Sequence, residues 1–287
     1  MYNAFKLGKI DLITTTNINI EEHIGTIGYK KTEASGREYD YIAINTQNAV
    51  LSHKEVRQAL SHVINKEHII QTLYNDKYYK NEYPLGYGNW LDDRENENIF
   101  EYNLEKAKQI LEENGWQYQY NSWRKTENYR TITLSFRIMV QSTNNLRLTI
   151  AETIKSSLEQ IGIRTYITKL TDTQYKNYLQ NKNYDIIVTG ITQSASPNLE
   201  TFLGTGNLAN YNNEEINQIM SEVKNITKEE LLKEKYKRIK QIYQEDVPYI
   251  GLYNSYYAVA TNWKLIGSVQ ANWYNIFMNI NNWYKNN

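Results

Sequence analysis

Residues 130–140, RTITLSFRIMV, alternate apolar and polar positions, so that Ile132, Leu134, Phe136, Ile138 and Val140 share one face. A period of two is that of a strand with one face in a core. The period changes over residues 150–167, IAETIKSSLEQIGIRTYI. Ile150, Ala151, Ile154, Leu158 and Ile161 align on one side of a helix, Gly162 stops it, and a strand follows from Ile163 to Thr168. Thr171 and Gln174 then have capping-box spacing ahead of Tyr175, Tyr178 and Leu179. The apolar run YDIIVTG, residues 184–190, suits a strand buried on both faces. Strand, helix, strand, helix, strand in this order builds right-handed βαβ crossovers, so the three strands are predicted to lie parallel in one sheet of an α/β fold. In open sheets of this kind ligands bind beyond the carboxyl ends of the strands. That directs attention to the segment after Gly190, ITQSASPNLETFLGTGNLANYNN.

Working outward, Ile10 to Thr15 and Thr26 to Thr32 read as short strands, and YDYIAIN (39–45) as a half-buried one. Ser52 with Glu55 has capping-box spacing, and Val56, Leu60, Val63 and Ile64 continue at helical period. Residues 76–101 hold Pro84, Gly86 and Gly88 among Tyr78, Tyr79, Tyr83, Tyr87 and Trp90, which predicts an irregular surface loop. Asn103 caps LEKAKQILEEN and Gly115 ends it. Trp116 to Trp123 and Arg130 to Val140 are predicted to form a hairpin. Helices are expected near Glu214 to Val223 and Lys228 to Glu245, the second opened by a Thr227/Glu230 capping box and closed by Pro248. Tyr249 to Leu252 and Tyr256 to Thr261 complete the series as two strands.

Composition narrows the function. The 287 residues are 40% hydrophobic and 22% charged, the balance of a chain that folds. Lys+Arg and Asp+Glu are both 32, so nothing attracts a nucleic acid electrostatically. There is no Cys, hence no disulfide and no thiolate site. No apolar stretch approaches the roughly 20 residues that cross a bilayer, and MYNAFKLGKIDL lacks the apolar core of a signal peptide. Tyr occurs 26 times beside abundant Asn, Lys and Ile, a bias attributable to codon composition. His23, His53, His62 and His68 have no metal-site spacing and read as surface or cap residues. No nucleophile elbow, P-loop or zincin motif occurs, and the Glu pairs sit on predicted helix faces, so neither catalysis nor a cofactor is expected.

Taken in order, several segments resemble extracellular solute-binding proteins of family 5, the oligopeptide-, dipeptide- and nickel-binding proteins of ABC importers. LGKIDL (7–12) resembles a G-x-I-D signature, YIAIN with VRQALSHVIN a strand followed by a V-R-Q-A-L helix, and NLEKAKQILEENGW an E-K-A-K helix ending in A-G-W. IAETIKSSLEQIGIRTYI, NYDIIVTG, ANYNNEEINQIM and YQEDVPYIGLY continue the series. The resemblance covers nearly the whole chain and implies a type II periplasmic-binding-protein lobe with a mixed, largely parallel sheet. It also implies that residues 1–38 are the remnant of a first lobe with a hinge strand, 39–262 the carboxy-terminal ligand-binding lobe, and 263–287 a return segment. Two such lobes closing on a peptide or related solute, delivery to the permease subunits of an ABC importer, an extracytoplasmic location, a lipid anchor and a monomeric state follow from the same resemblance. Family members that bind peptides commonly carry Trp after the Gly of the Y-D strand and an Asp shortly beyond it for the ligand's ammonium. Ile191 and Ala195 occupy those positions, and Asn217 replaces another family Asp.

The candidate ligand residues are Gln193, Ser194, Ser196 and Asn198 in the loop after Gly190, Asn210 and Tyr211 in a neighbouring turn, and Tyr87 and Trp90 as cleft walls. The bland alternative makes Ser194 to Asn198 a turn and helix cap and packs the aromatic loop on its own lobe. Two further functions stay open. One is a free-standing interaction module docking a protein in the half-cleft; the other is a glycan-active enzyme, which needs two carboxylates about 5–10 Å apart.

Overall fold

The computed structural model describes residues 1–91, 100–272 and 274–285. Its strands are β1 (Leu12–Thr15), β2 (Tyr29–Ile44), β3 (Tyr79–Lys80), β4 (Gln117–Gln119), β5 (Ser122–Glu127), β6 (Arg130–Thr133), β7 (Ser135–Gln141), β8 (Arg164–Leu170), β9 (Ile186–Thr192), β10 (Tyr249–Asn262), β11 (Leu265–Ile266) and β12 (Tyr284–Lys285). Its helices are α1 (Tyr2–Lys6), α2 (Glu21–Ile24), α3 (Lys54–Val63), α4 (Lys66–Tyr74), α5 (Leu104–Glu113), α6 (Asn145–Gln160), α7 (Asp172–Asn181), α8 (Glu200–Leu203), α9 (Glu214–Val223) and α10 (Glu229–Asp246). Among the described residues no helix is long and apolar enough to cross a membrane.

One central sheet runs β1-β10-β2-β9-β7-β8, with β3 added on β10. β7 lies parallel to both β8 and β9, as the alternation of strand and helix requires. β2 and β10 are antiparallel to their neighbours. Each of them joins two of the short strands read from sequence into one long strand. β10 keeps its pairing through register shifts between Gly251 and Tyr253 and between Asn254 and Tyr256, irregularities that bend a strand without ending it.

Helices cover both faces of this sheet. Ile42, Ile44, Ile138, Val140, Ile186 and Val188 face a core completed by α3, α4, α5 and α6. Their chain neighbours Tyr41, Ala43, Met139 and Ile187 face a second core completed by α7, α8, α9 and α10. A strand buried on both sides needs apolar residues at every position, which is why IIV of β9 is an unbroken run. A third, smaller cluster of Phe5, Ile13, Ile20, Ile24 and Ala260 packs where β1 meets the far end of β10.

The predicted arm 130–140 is divided. Arg130–Thr133 belongs to a separate antiparallel sheet, β4-β5-β6, whereas Ser135–Gln141 enters the central one. The alternation survives the break because Leu134, Phe136, Ile138 and Val140 all point into the same core, with Ile132 packed at its edge.

Capping differs from the spacing rules in an informative way. Asn103 accepts from the Lys106 amide, and Thr171 with Gln174 forms the full reciprocal box. Gly115 takes the left-handed conformation, and the Trp116 amide reaches back to the Leu111 carbonyl to close α5. Ser52 is no cap: α3 begins after His53 and the Ser52 hydroxyl donates to the Ala49 carbonyl. The Glu55 carboxylate instead accepts from Trp116 Nε1 at 3.2 Å and Lys125 Nζ at 2.9 Å, which ties the small sheet to α3. Thr227 likewise caps nothing, since α10 starts one residue later behind Lys228. Asn144 and Asn213 supply caps of α6 and α9.

His62 is also not the surface residue expected. It is 7% exposed, packs edge-on to Phe100 at 5.7 Å, and a ring nitrogen lies 2.9 Å from the Glu101 carbonyl. Burial pulls the His62 imidazole below its ordinary value. A folded-state value below the unfolded one means that the unfolded chain binds the proton first, so stability is lost as pH falls from about 6.5 through the folded value. The loss of urea midpoint between pH 7.5 and 5.5 is expected to be smaller in His62→Gln than in the parent. Thr171→Ala is expected to cost about 1 kcal/mol in the same assay, and Thr227→Ala less than about 0.5 kcal/mol.

Candidate ligand-binding site

β9 delivers its last residues to the carboxyl edge of the parallel strands. Here Tyr39 pairs with Ile191 and Glu38 with Thr192. Three bonds secure this exit to β2: the Gln193 amide donates to the Arg37 carbonyl at 2.8 Å, Arg37 Nε donates to the Gln193 carbonyl at 2.6 Å, and the Thr192 hydroxyl donates to Glu38 at 2.6 Å.

Behind the exit lies a buried chain of side-chain amides. Asn254 is 0% exposed and sits between the two irregularities of β10. Its Nδ2 donates to Gln193 Oε1 at 2.8 Å and to the Gly36 carbonyl at 3.1 Å, while its Oδ1 accepts from Asn81 Nδ2 at 2.6 Å. Asn81 Nδ2 also donates to the Leu85 carbonyl at 2.8 Å. One residue therefore joins β2, β10, the loop that precedes Tyr87 and the loop that follows β9. A polar group buried this deeply is tolerated because its donors and acceptors are used.

A second polar cluster lies two residues further into the sheet. Arg147, at the start of α6, holds Asp40 of β2 with two bonds of 2.7 and 3.1 Å. The Tyr253 hydroxyl donates to the same carboxylate at 3.1 Å and stands 2.8 Å from the Tyr74 hydroxyl. Burial alone lowers the Arg147 guanidinium, but its bonds to Asp40 hold it above the ordinary value. Gly190 makes room for the pair: a Cβ there would stand 2.0 Å from Asp40 Oδ1.

Two depressions open at this edge, on opposite sides of β9 as the pleat requires. Ile191 and Gln193 line a pocket of about 130 Å³ together with Ser194, Ser196, Asn198 and, from the facing loop, Leu85. Thr192 lines a wider groove of about 630 Å³ with Arg37, Glu38, Tyr256, Tyr257 and Tyr274.

Four of the expected residues, Gln193, Ser194, Ser196 and Asn198, thus meet at one pocket. Part of their role is local: Ser194 Oγ accepts from the Ser196 amide at 3.1 Å, and Asn198 Oδ1 accepts from the Glu200 amide at 2.8 Å, shaping the turn into α8. The other four expected residues lie elsewhere. Asn210 and Tyr211 are at the opposite end of β9, where Ile44 pairs with Ile186. Asn210 Nδ2 donates to Asn45 at 3.0 Å, and the Tyr211 hydroxyl donates to Asp246 at 2.5 Å. Burial, then the bond to Asp246, pushes that hydroxyl above its ordinary value. Tyr87 packs on Tyr79 at 4.8 Å, and Trp90, 51% exposed, lies under the Lys233 ammonium at 5.9 Å. The aromatic loop contributes Pro84, Leu85 and Gly86 to the pocket instead.

Sequence reading missed Asn81, Asn254, Asp40 and Arg147. The available signals were a carboxylate in the strand YDYIAIN and the pair Asn254–Ser255 inside a run of tyrosines. Neither indicates a partner.

Over residues 1–213 the chain matches the family described as bacterial extracellular solute-binding proteins, family 5 Middle. The chain belongs to this family. It is a family of binding proteins rather than enzymes. Among its relatives, the oligopeptide-binding protein AppA of Bacillus subtilis is 28% identical over 237 residues, which is 78% of this chain and 43% of that protein. Heme-binding protein A of Haemophilus influenzae is 24% identical over 94% of this chain and 49% of its own length. This family 5 chain thus spans less than half the length of these two curated relatives. Among solved structures, HbpA2 from Haemophilus parasuis superposes with a TM-score of 0.77 at 21% identity, covering 99% of this chain and 55% of that one. AppA from Bacillus subtilis, in complex with a nonapeptide, gives 0.72 at 23% identity over 100% and 58%. At these identities the structures establish the fold.

Asn254→Ala is expected to lower the stability of this family 5 chain by on the order of 3 kcal/mol in urea denaturation, because it strands Gln193 Oε1, the Gly36 carbonyl and one of the two N–H groups of Asn81 Nδ2, the other staying on Leu85.

Proposed function

We propose that this chain forms the carboxy-terminal ligand-gripping lobe of an extracytoplasmic solute-binding protein, which captures a peptide or related small solute and delivers it to the permease of an ABC importer. The observation that carries this reading is the exit of β9. Ile191, Thr192 and Gln193 open depressions on both sides of the strand at the carboxyl edge of the parallel sheet, the place where α/β sheets bind ligands. The two long strands β2 and β10 pass this edge and continue to β1, beyond the reach of the two main cores.

In this reading residues 39–262 form the ligand lobe, and residues 1–38 with 263–287 belong with a second lobe that closes over the edge. The small cluster around Phe5, Ile13 and Ile20 supports that division, since it packs apart from the two main cores. Peptide is favoured as the solute class by the pocket's supply of uncharged hydrogen-bonding side chains, Gln193, Ser194, Ser196 and Asn198. Such groups pair with peptide amides while leaving side-chain identity free. The permease partner and the lipid anchor of this reading come from the family resemblance.

Titration calorimetry of a mixed di- to pentapeptide library into the 287-residue chain tests the reading. Saturable heat is expected, and Thr201→Trp, which fills the pocket from its exposed rim, is expected to weaken it at least tenfold with the urea midpoint unchanged. Absence of heat, or equal affinity in the variant, overturns it.

A further inference from the structure

Gln193 is 5% exposed, and its side-chain amide is used on one end only. Oε1 accepts from Asn254, whereas Nε2 has no hydrogen-bond partner among the described residues. Exchanging the two ends of the amide would set Nε2 against the Asn254 donor, so the orientation is determined by its neighbour. A buried N–H left without an acceptor is destabilising, and Gln193 lines the pocket of about 130 Å³. Among the described residues, those that line this pocket include no Asp, Glu, Lys, Arg or His. A ligand ammonium or carboxylate entering it would lose water without meeting a countercharge, which is strongly unfavourable. A neutral acceptor has no such cost. The pocket has room for about four waters at ~30 Å³ each, and Leu85, Ile191 and Phe202 supply apolar wall beside the polar groups.

We propose that the pocket receives an acylated amine, a neutral amide whose short acyl carbon packs against Leu85, Ile191 and Phe202 and whose carbonyl oxygen accepts from Gln193 Nε2 once the side chain turns that buried N–H towards the pocket. This rests on the ligand-lobe reading and sharpens it: the preferred peptide presents a blocked, uncharged amide here rather than a free amino terminus. An N-acetylated amino sugar carries the same acetamido chemistry, so the test separates the two sources.

The 287-residue chain, labelled with nitrogen-15, is titrated at pH 7 with N-acetyl-trialanine, trialanine and N-acetylglucosamine, following the Gln193 side-chain amide resonance assigned by its loss in Gln193→Met. N-acetyl-trialanine is expected to shift that resonance saturably, with trialanine at least tenfold weaker. In Gln193→Glu, which keeps an acceptor for Asn254 and adds a carboxylate, the preference is expected to reverse towards trialanine. Equal or tighter binding of trialanine to the parent chain overturns the acyl assignment while leaving the peptide reading standing. A response to N-acetylglucosamine alone supports the acetamido pocket and overturns the peptide reading. No shift with any probe overturns both.

Discussion

Burying one sheet on both faces is the constraint from which the rest of this structure follows. Every residue of β9 between Ile186 and Val188 must be apolar, because alternate positions serve different cores. Hydrogen-bonding groups then collect towards the end of the sheet. The carboxyl edge of β9 is such an end, and Arg37, Glu38, Thr192 and Gln193 collect there. The positions of the pocket and the groove are consequences of sheet termination.

At that edge two polar arrangements have different physical characters. The Asp40–Arg147 pair is a bidentate ion pair, seated in the space that Gly190 leaves open and extended by the Tyr253 and Tyr74 hydroxyls. It fixes the start of α6 against β2. The Asn81–Asn254–Gln193 chain is neutral and fully enclosed around Asn254. It fixes two loops against both long strands, and it leaves one amide donor over. Neutrality matters for that surplus, since an unpaired charge at such depth would be far less tolerable than an unpaired N–H.

Residues chosen for site chemistry divided according to their surroundings. Gln193, Ser194, Ser196 and Asn198 follow one strand in sequence, so chain continuity brought them to one pocket. Asn210 and Tyr211 are close to them in sequence, but α8 and the turn after it carry the chain to the other end of β9. Trp90 and Tyr87, expected as cleft walls, pack on the cationic and aromatic neighbours nearest them, Lys233 and Tyr79. The capping boxes divided in the same way. Thr171 and Gln174 close theirs, whereas the Glu55 carboxylate is taken by Lys125 of β5 and by Trp116, just ahead of β4.

The sequence by itself determined that β7, β8 and β9 are parallel, the buried face of α6, and the break that the Gly162 turn makes between α6 and β8. These are properties of period and chain order, which local residues encode. Only the tertiary structure decided that β2 and β10 are single long strands, that His62 is buried, and that Asn254 meets Gln193 and Asn81. Each of those depends on groups far apart in sequence, such as Asn81 and Asn254 with their separation of 173. Hydrogen bonds of that kind are selected by the packing of the whole sheet, and no short-range pattern carries them.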